Sequence, residues 1–354
     1  MAKITIKDIA SKAGVSPGTV SKVITGKYKE DNIQISKATI QKVQQIIKEM
    51  DYQPNYAARI LSTGKTFTIG IFMPKSKNEN FHMEHYYSRI IDSIEKEAVK
   101  HKYDILLINY DTYIHKFNAR RMDGLIIIEQ WDEDKDLQFL ITEKKHFVII
   151  NNLIDKPLNI NSVNVDNNKG IQEIVRLFKE HNHKKLAFIG EMTSQAQKEH
   201  SKRLELFKQA LQKEGLSLNE DIFLYGPVEG ITDKLKYEDY DQLSGFFGIE
   251  YLLKKHGGQF TGVFCANDLV ALGALNYLYR EGIKVPQQVS IAGFDDLDFA
   301  EYLMGGLTTV RQPLARMGQE AFALLLKSID NEMTGNEKIL VPPEVVVRST
   351  IAKI

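Results

Sequence analysis

Cysteine is nearly absent from this chain of 354 residues. The single one, Cys265, excludes an internal disulfide and any cysteine-based zinc site, and it reads as a small buried apolar residue. No apolar run approaches the roughly 18 residues that cross a bilayer, and the N-terminus shows no hydrophobic leader. The expectation is a cytoplasmic protein with no membrane partner. Net charge is absent too, with 46 Lys or Arg against 46 Asp or Glu, but the charges are unevenly placed. Residues 1–65 hold eleven basic and five acidic side chains, about +6, so residues 66–354 sit near −6. A basic head on an acidic body fits a nucleic-acid-binding module attached to a domain that would repel DNA. The length predicts about two domains with a real core.

What is present is clearest at the N-terminus, in TIKDIASKAGVSPGTVSKVI from Thr5 to Ile24. Thr5 with Asp8 three residues on is a capping box, and Ile6, Ile9, Ala10 and Ala13 then recur at helical spacing. Gly14 supplies the left-handed residue that leaves the helix. Ser16 caps a second helix with Pro17 in its first position, where the missing amide costs nothing. Val20, Val23 and Ile24 form its buried side, with Gly18, Thr19, Ser21 and Lys22 outward. The pattern is compatible with an ordinary helical hairpin. The basic surplus and a third amphipathic helix over Ser36 to Met50, with Ile40, Val43, Ile46 and Ile47 inward, favour a DNA-binding helix-turn-helix.

The run Thr5-Ile6-x-Asp8-Ile9-Ala10-x-x-Ala13-Gly14-Val15-Ser16-x-x-Thr19-Val20-Ser21-x-Val23, followed by Tyr52-x-Pro54-Asn55-x-x-Ala58-x-x-Leu61, resembles the head and hinge of the lactose-repressor (LacI/GalR) family of bacterial transcription regulators. That resemblance implies a DNA-binding domain over residues 1–54, a hinge helix and connector over 55–66, and a ligand-binding and dimerisation domain over 67–354. It implies that the hinge helix, capped by Asn55, folds only when two subunits meet on DNA. Leu61 would then wedge into the minor groove at the centre of the site. Thr5, Lys7, Ser16, Pro17, Gly18, Thr19, Ser21, Lys22, Asn55, Ala58 and Leu61 are the expected DNA-facing residues. Pro17 and Gly18 have no side chain that reads a base edge. Direct readout therefore rests on Thr19, Ser21 and Lys22, with Lys22 to guanine, while Ser16, Lys7 and Lys37 position phosphates. Thr25 to Ile35 is longer and more charged than the family's usual link, and it reads as a solvated loop in which Lys27 and Lys29 could reach phosphates.

From Thr68 onward, short β-branched runs alternate with helical stretches. Strands are predicted at 68–73, 103–108, 124–128, 147–151 and 163–165, and in a second series at 185–189, 222–225, 262–265 and 289–292. Helices are predicted at 86–100, 168–180, 199–214, 245–255, 269–281 and 314–329. Such a pattern gives parallel sheets covered on both faces, hence an α/β body of two doubly wound lobes, periplasmic-binding-protein-like by resemblance, with a ligand held beyond the strand ends. The resemblance further implies that the chain crosses between lobes near Asn164, Arg311 and Pro343. The first lobe is then about 67–163 and 313–342, and the second about 164–311 and 343–354. The segment 109–122 is too short for the family's usual crossover helix.

No enzyme constellation stands out. His181-x-His183 lies at a helix end with no carboxylate or thiol at ligand spacing and reads as a surface loop; His82, Glu84 and His85 read as loop residues or sugar contacts in preference to metal ligands. Asp295-Asp296 follows a strand in AGFDD, where the resemblance implies ligand binding rather than catalysis. Gly64-Lys65-Thr66 lacks the upstream glycine of a phosphate loop. By resemblance, Arg203 and Asp295 bind a ligand, Asn267 edges the cleft and Tyr240 forms an aromatic wall. Asn151, Tyr86 and Tyr87 are first-lobe candidates. From spacing alone, Arg203 also suits a surface ion pair with Glu199 or Glu205. The sequence is thus read as a non-enzymatic, dimeric repressor of pseudo-palindromic operator DNA, nucleoid-associated when bound and needing no cofactor. Its effector is expected to be a carbohydrate. The alternatives are a purine or phosphosugar corepressor, or a sugar-processing enzyme.

Overall fold

The computed structural model describes residues 4–25, 35–52, 60, 63–72, 85–108, 121–130, 135–152, 158–193, 198–235, 240–303 and 305–354. Asn55, Ala58, Leu61, Lys27, Lys29, His82 and Glu84 lie outside them, as does most of the 25–35 and 109–122 stretches. The chain divides into two compact units, Met1–Thr66 and Phe67–Ile354.

The first unit is built on α1 (Ile6–Ala13), α2 (Pro17–Thr25) and α3 (Lys37–Glu49). The Asp8 carboxylate accepts from the Thr5 amide at 2.8 Å and the Thr5 hydroxyl at 2.7 Å, which fixes the first turn of α1. Those two bonds hold the Asp8 carboxyl below its ordinary pKa. Gly14 ends α1 at φ 69, a backbone conformation that side-chain-bearing residues rarely adopt. Ser16 and Ser36 cap α2 and α3 by accepting from Thr19 N and Thr39 N, each at 3.1 Å. Ile9, Ala10, Ala13, Val20, Val23, Val43 and Ile46 meet in one core, which Tyr52 also joins. Lys12 of α1 pairs with Glu49 of α3 at 3.3 Å, an exposed bridge of small worth. Further along, Gly64 donates to Ile60 O at 2.8 Å with φ 71, the form of a helix end.

The second unit contains two parallel sheets. One has the order β11-β5-β4-β3-β1-β2, from β1 (Thr68–Phe72), β2 (Asp104–Ile108), β3 (Gly124–Gln130), β4 (Phe147–Asn152), β5 (Ser162–Val165) and β11 (Lys338–Val341). The other has the order β7-β6-β8-β9, from β6 (Leu186–Ile189), β7 (Phe223–Leu224), β8 (Gly262–Cys265) and β9 (Ser290–Ala292). An antiparallel pair, β10 (Thr309–Arg311) and β12 (Glu344–Val346), stands beside them. The helices are α4 (His85–His101), α5 (Lys135–Thr142), α6 (Asn167–Glu180), α7 (Lys198–Glu214), α8 (Tyr240–His256), α9 (Asp268–Arg280) and α10 (Leu314–Ile329). β1, β6 and β8 are buried along their whole length, as expected of strands covered on both faces.

The chain leaves the first sheet after Val165 and returns to it after Arg311, where α10 packs on α4 and β11 pairs with β5. It leaves again after Val341, and Ile351 ends in the core of the second sheet. The C-terminus is fastened there by His183, whose ring nitrogens meet Thr261 Oγ1 at 2.8 Å and Ala352 O at 3.0 Å. This corrects the surface-loop reading of that histidine: it is buried, and desolvation lowers its pKa.

Two other readings change. α8 begins at Tyr240 rather than Gly245, because Gly245 and Gly273 let α8 and α9 approach so closely that helix persists through them; an added Cβ would stand 1.9 Å from Val270 O or 1.8 Å from Gln242 O. α5, β10, β11 and β12 were not predicted from sequence. Cys265 is buried as expected, and burial raises its thiol pKa.

Candidate functional site

On the first unit, α2 presents Pro17, Gly18 and Lys22 as exposed residues, with Thr19 and Ser21 half-buried. Thr5, Lys7, Ser16 and Lys37 are exposed beside them. The Ser16 hydroxyl lies 3.0 Å from that of Thr19 while it caps the helix, so these two hydroxyls hold each other in place. The expected base reader Thr19 is thereby also part of the cap.

In the second unit the expected ligand residues converge at the carboxyl ends of the strands, the place where open parallel sheets bind. Asn151 closes β4, Asn267 follows β8 and Asp295 follows β9. Arg203, on α7, is only 2% exposed and its guanidinium lies 3.9 Å over the Phe294 ring. It donates to Ala266 O at 2.6 Å, to Asp295 Oδ1 at 3.3 Å and to Asn167 Oδ1 at 3.5 Å. Burial excludes a surface position for Arg203, and the side chain of Glu199 lies outside those described. Asp295 Oδ1 also accepts from Gln312 Nε2 at 2.7 Å, and Gln312 Oε1 accepts from the Tyr86 hydroxyl at 3.4 Å. Tyr86 in turn bonds Asn151 Nδ2. One run of side chains thus joins Arg203 of the second sheet to Asn151 of the first. Tyr87 packs edge-on to Tyr86 at 5.3 Å and donates to Glu129 Oε2 at 2.7 Å. Arg89 of α4 also pairs across to Asp298. Tyr240 stands in the first turn of α8.

Sequence reasoning missed Glu129, Gln312, Glu191, His200 and Asp241. Glu129 carried a signal, a lone carboxylate after four apolar residues of β3. The others are isolated polar residues whose meeting depends on tertiary packing. Asn267 caps α9 by accepting from Val270 N at 2.8 Å, and its amide donates to Asp241 Oδ2 at 2.8 Å and lies 3.2 Å from His200 Nε2. Glu191 N donates to His200 Nδ1 at 3.1 Å, and Thr193 donates to Glu191 Oε1 at 2.6 Å. The ligand atoms of Glu191, His200 and Asp241 lie within 4.8 Å of one another, as metal-binding groups do. His200 Nδ1 accepts from Glu191 N, and hydrogen bonds tie the three residues to Asn267 and Thr193.

Two structural acids lie beside this network. Asp296 pairs with Arg311 and Arg348, each at 2.7 Å, which binds β10 to the C-terminal segment. Asp268 is fully buried, accepts from Thr309 Oγ1 at 2.6 Å and Leu297 N at 2.8 Å, and burial pushes its carboxyl up to about 7. Asp295-Asp296 is accordingly not a catalytic pair: each carboxylate is committed to an arginine. Among the described residues, no helix is long and apolar enough to cross a membrane.

Comparison with known proteins fits this geometry. Residues 5–55 match the family model described as bacterial regulatory proteins, lacI family, and residues 175–351 match a periplasmic binding protein-like domain. The chain is 30% identical to a probable HTH-type transcriptional repressor, ExuR, of Bacillus subtilis (strain 168), covering 99% of each. It is also 30% identical to the HTH-type transcriptional repressor PurR of Vibrio vulnificus (strain CMCP6), again over 99% of each. Among solved structures, the lac repressor dimer bound to operator and the anti-inducer ONPF superposes with a TM-score of 0.77 at 22% identity, covering 99% of this chain and 100% of that one. A complex of the transcriptional regulator CelR with cellobiose gives 0.68 at 26% identity, covering 98% and 99%. With a three-helix head and a two-sheet ligand-binding body, this chain belongs to the lacI family of bacterial regulatory proteins: it is a DNA-binding transcriptional regulator, not an enzyme.

Proposed function

We propose that the chain is a homodimeric repressor of a pseudo-palindromic operator, and that a small carbohydrate held between the two sheets of its body sets operator affinity. The carrying observation is the run of side chains Arg203, Asp295, Gln312, Tyr86 and Asn151, which joins the strand ends of both sheets. A ligand exchanging hydrogen bonds with that run has unequal affinity for different spacings of the sheets. It therefore shifts the equilibrium between them, and through them the pairing of two heads on DNA. Carboxylate and amide groups beside aromatic rings suit vicinal hydroxyls and a sugar ring. The working division is a head at 1–54, a hinge at 55–66 and a body at 67–354, with lobes at about 67–163 with 313–342 and about 164–311 with 343–354. In the head, Lys22, Ser21 and Thr19 read bases; Lys7, Ser16 and Lys37 hold phosphates; and Leu61 wedges the minor groove.

Selection of DNA fragments with the full chain, followed by thermal shift against sugars, sugar phosphates and nucleobases, tests this proposal. A neutral sugar that stabilises the protein and changes affinity for the selected fragment supports it. A shift only from nucleobases or sugar phosphates would keep the regulator and replace the carbohydrate. Fragments without inverted symmetry would remove the dimeric reading.

A further inference from the structure

At the end of β3 and β4 the backbone departs from the regular strand at two facing positions. Ile128 pairs with Ile150 and Gln130 with Asn152, while the residues between, Glu129 and Asn151, adopt φ of 62 and 54. Left-handed backbone is uncommon for any non-glycine residue, and Glu lacks the short side chain that lets Asn adopt it easily. Both side chains are buried, and both are held by neighbouring tyrosines of α4, Glu129 by Tyr87 and Asn151 by Tyr86. A residue kept in an unfavourable conformation at a ligand-facing strand end, by a partner on another element, is a mark of function.

The sign of the charge there matters because of what faces it. Across the network stand Asp295 after β9, Glu191 after β6 and Asp241 of α8. Arg203 is the cation among the described residues of this network. Arg203 is committed to Ala266 O, the Phe294 face and Asp295, so its charge is largely matched within the protein. An incoming carboxylate or phosphate meets the buried carboxylates of Glu129 and Glu191 and the partly buried ones of Asp241 and Asp295, and like charges shielded from water repel strongly. A hydroxyl or amine meets acceptors.

We propose that Glu129, positioned by Tyr87, is a specificity-determining residue that makes the cleft select an effector without negative charge: a polyhydroxyl or amine-bearing molecule rather than its carboxylate or phosphate analogue. This rests on the reading of the cleft as the effector site. The test compares full-length wild type with Glu129→Gln, which keeps the shape and removes the charge. Calorimetric titration would use matched probes: glucose, galactose, glucosamine and cellobiose against glucuronate, galacturonate and glucose 6-phosphate. Wild type is expected to prefer the uncharged or cationic member of a matched pair by tenfold or more. Glu129→Gln should shrink that ratio by about tenfold, the size of one like-charge contact removed. Glu129→Asn, which also removes the charge and suits the left-handed backbone there, should shrink it in the same direction and supplies the comparison if Glu129→Gln does not fold. An unchanged ratio in the variants, or tighter binding of an anionic probe by wild type, overturns the charge selection while leaving the effector site standing. A flat response to every probe in all three proteins overturns the effector reading and this inference with it.

Discussion

Arg203→Met separates a buried organising arginine from a surface one. The substitution keeps most of the volume and the contact with Phe294, but it removes the bond to Ala266 O and the charge facing Asp295. Breaking a buried ion pair by deleting one partner costs about 3–5 kcal/mol, because the other charge stays buried. The Asp295 side chain is 13% exposed and retains Gln312 as a donor at 2.7 Å, so the lower end applies, about 3 kcal/mol. For a unit of this size that is a fall of about 6 °C in Tm, at roughly 2 °C per kcal/mol. The double substitution Arg203→Met with Asp295→Asn removes both charges and should recover at least about 1 kcal/mol relative to Arg203→Met alone. Scanning calorimetry of the full chain, following the transition of the body, gives both numbers. A loss under about 1 kcal/mol for Arg203→Met, the range of an exposed pair, would refute the buried-pair argument. So would a double variant as unstable as the sum of the singles.

Three further outcomes are expected. Gly245→Ala forces a Cβ to within 1.9 Å of Val270 O, backbone that cannot rotate away. It should destabilise the body by about 3 kcal/mol, the upper part of the overpacking range, and a urea midpoint equal to wild type would show that α8 and α9 are not so close. For Asp268, a folded pKa of about 7 lies above the unfolded value of about 3.9. The native state therefore binds the extra proton between them, and the stability this group contributes is full below about pH 4 and lost as pH rises through 7. Relative to wild type, Asp268→Asn should gain about 2–3 kcal/mol between pH 5 and 7.5, and a pH-independent difference in denaturation free energy would contradict this. Finally, Lys22→Ala should relax base preference at one position per half-site in a binding-site selection. An equal weakening on all sequences would make Lys22 a phosphate contact instead.

The sequence by itself determined the elements whose signals are local. The caps at Thr5, Ser16 and Ser36, the turn at Gly14, and the apolar faces of α1 to α3 are all set by residues within four positions of one another. The long helices and buried strands of the body are legible for the same reason. Resemblance added Arg203, Asp295, Asn267, Asn151, Tyr86 and Tyr87, which the fold brings to the strand ends of two sheets. Tertiary structure alone decided the rest. Whether Arg203 lies on the surface or in the core depends on α7 packing over β8 and Phe294, far away in sequence. Glu129 joins the network because β3 and β4 turn together and α4 supplies Tyr87, and Gln312 because the chain returns from the second sheet to the first beside Tyr86. Histidine spacing made His183 a loop residue, while the C-terminal segment closing over it made it a buried anchor. Local chemistry specifies a helix end or a buried strand, but the protonation, charge environment and partners of a site residue are set by elements that meet only in the folded chain.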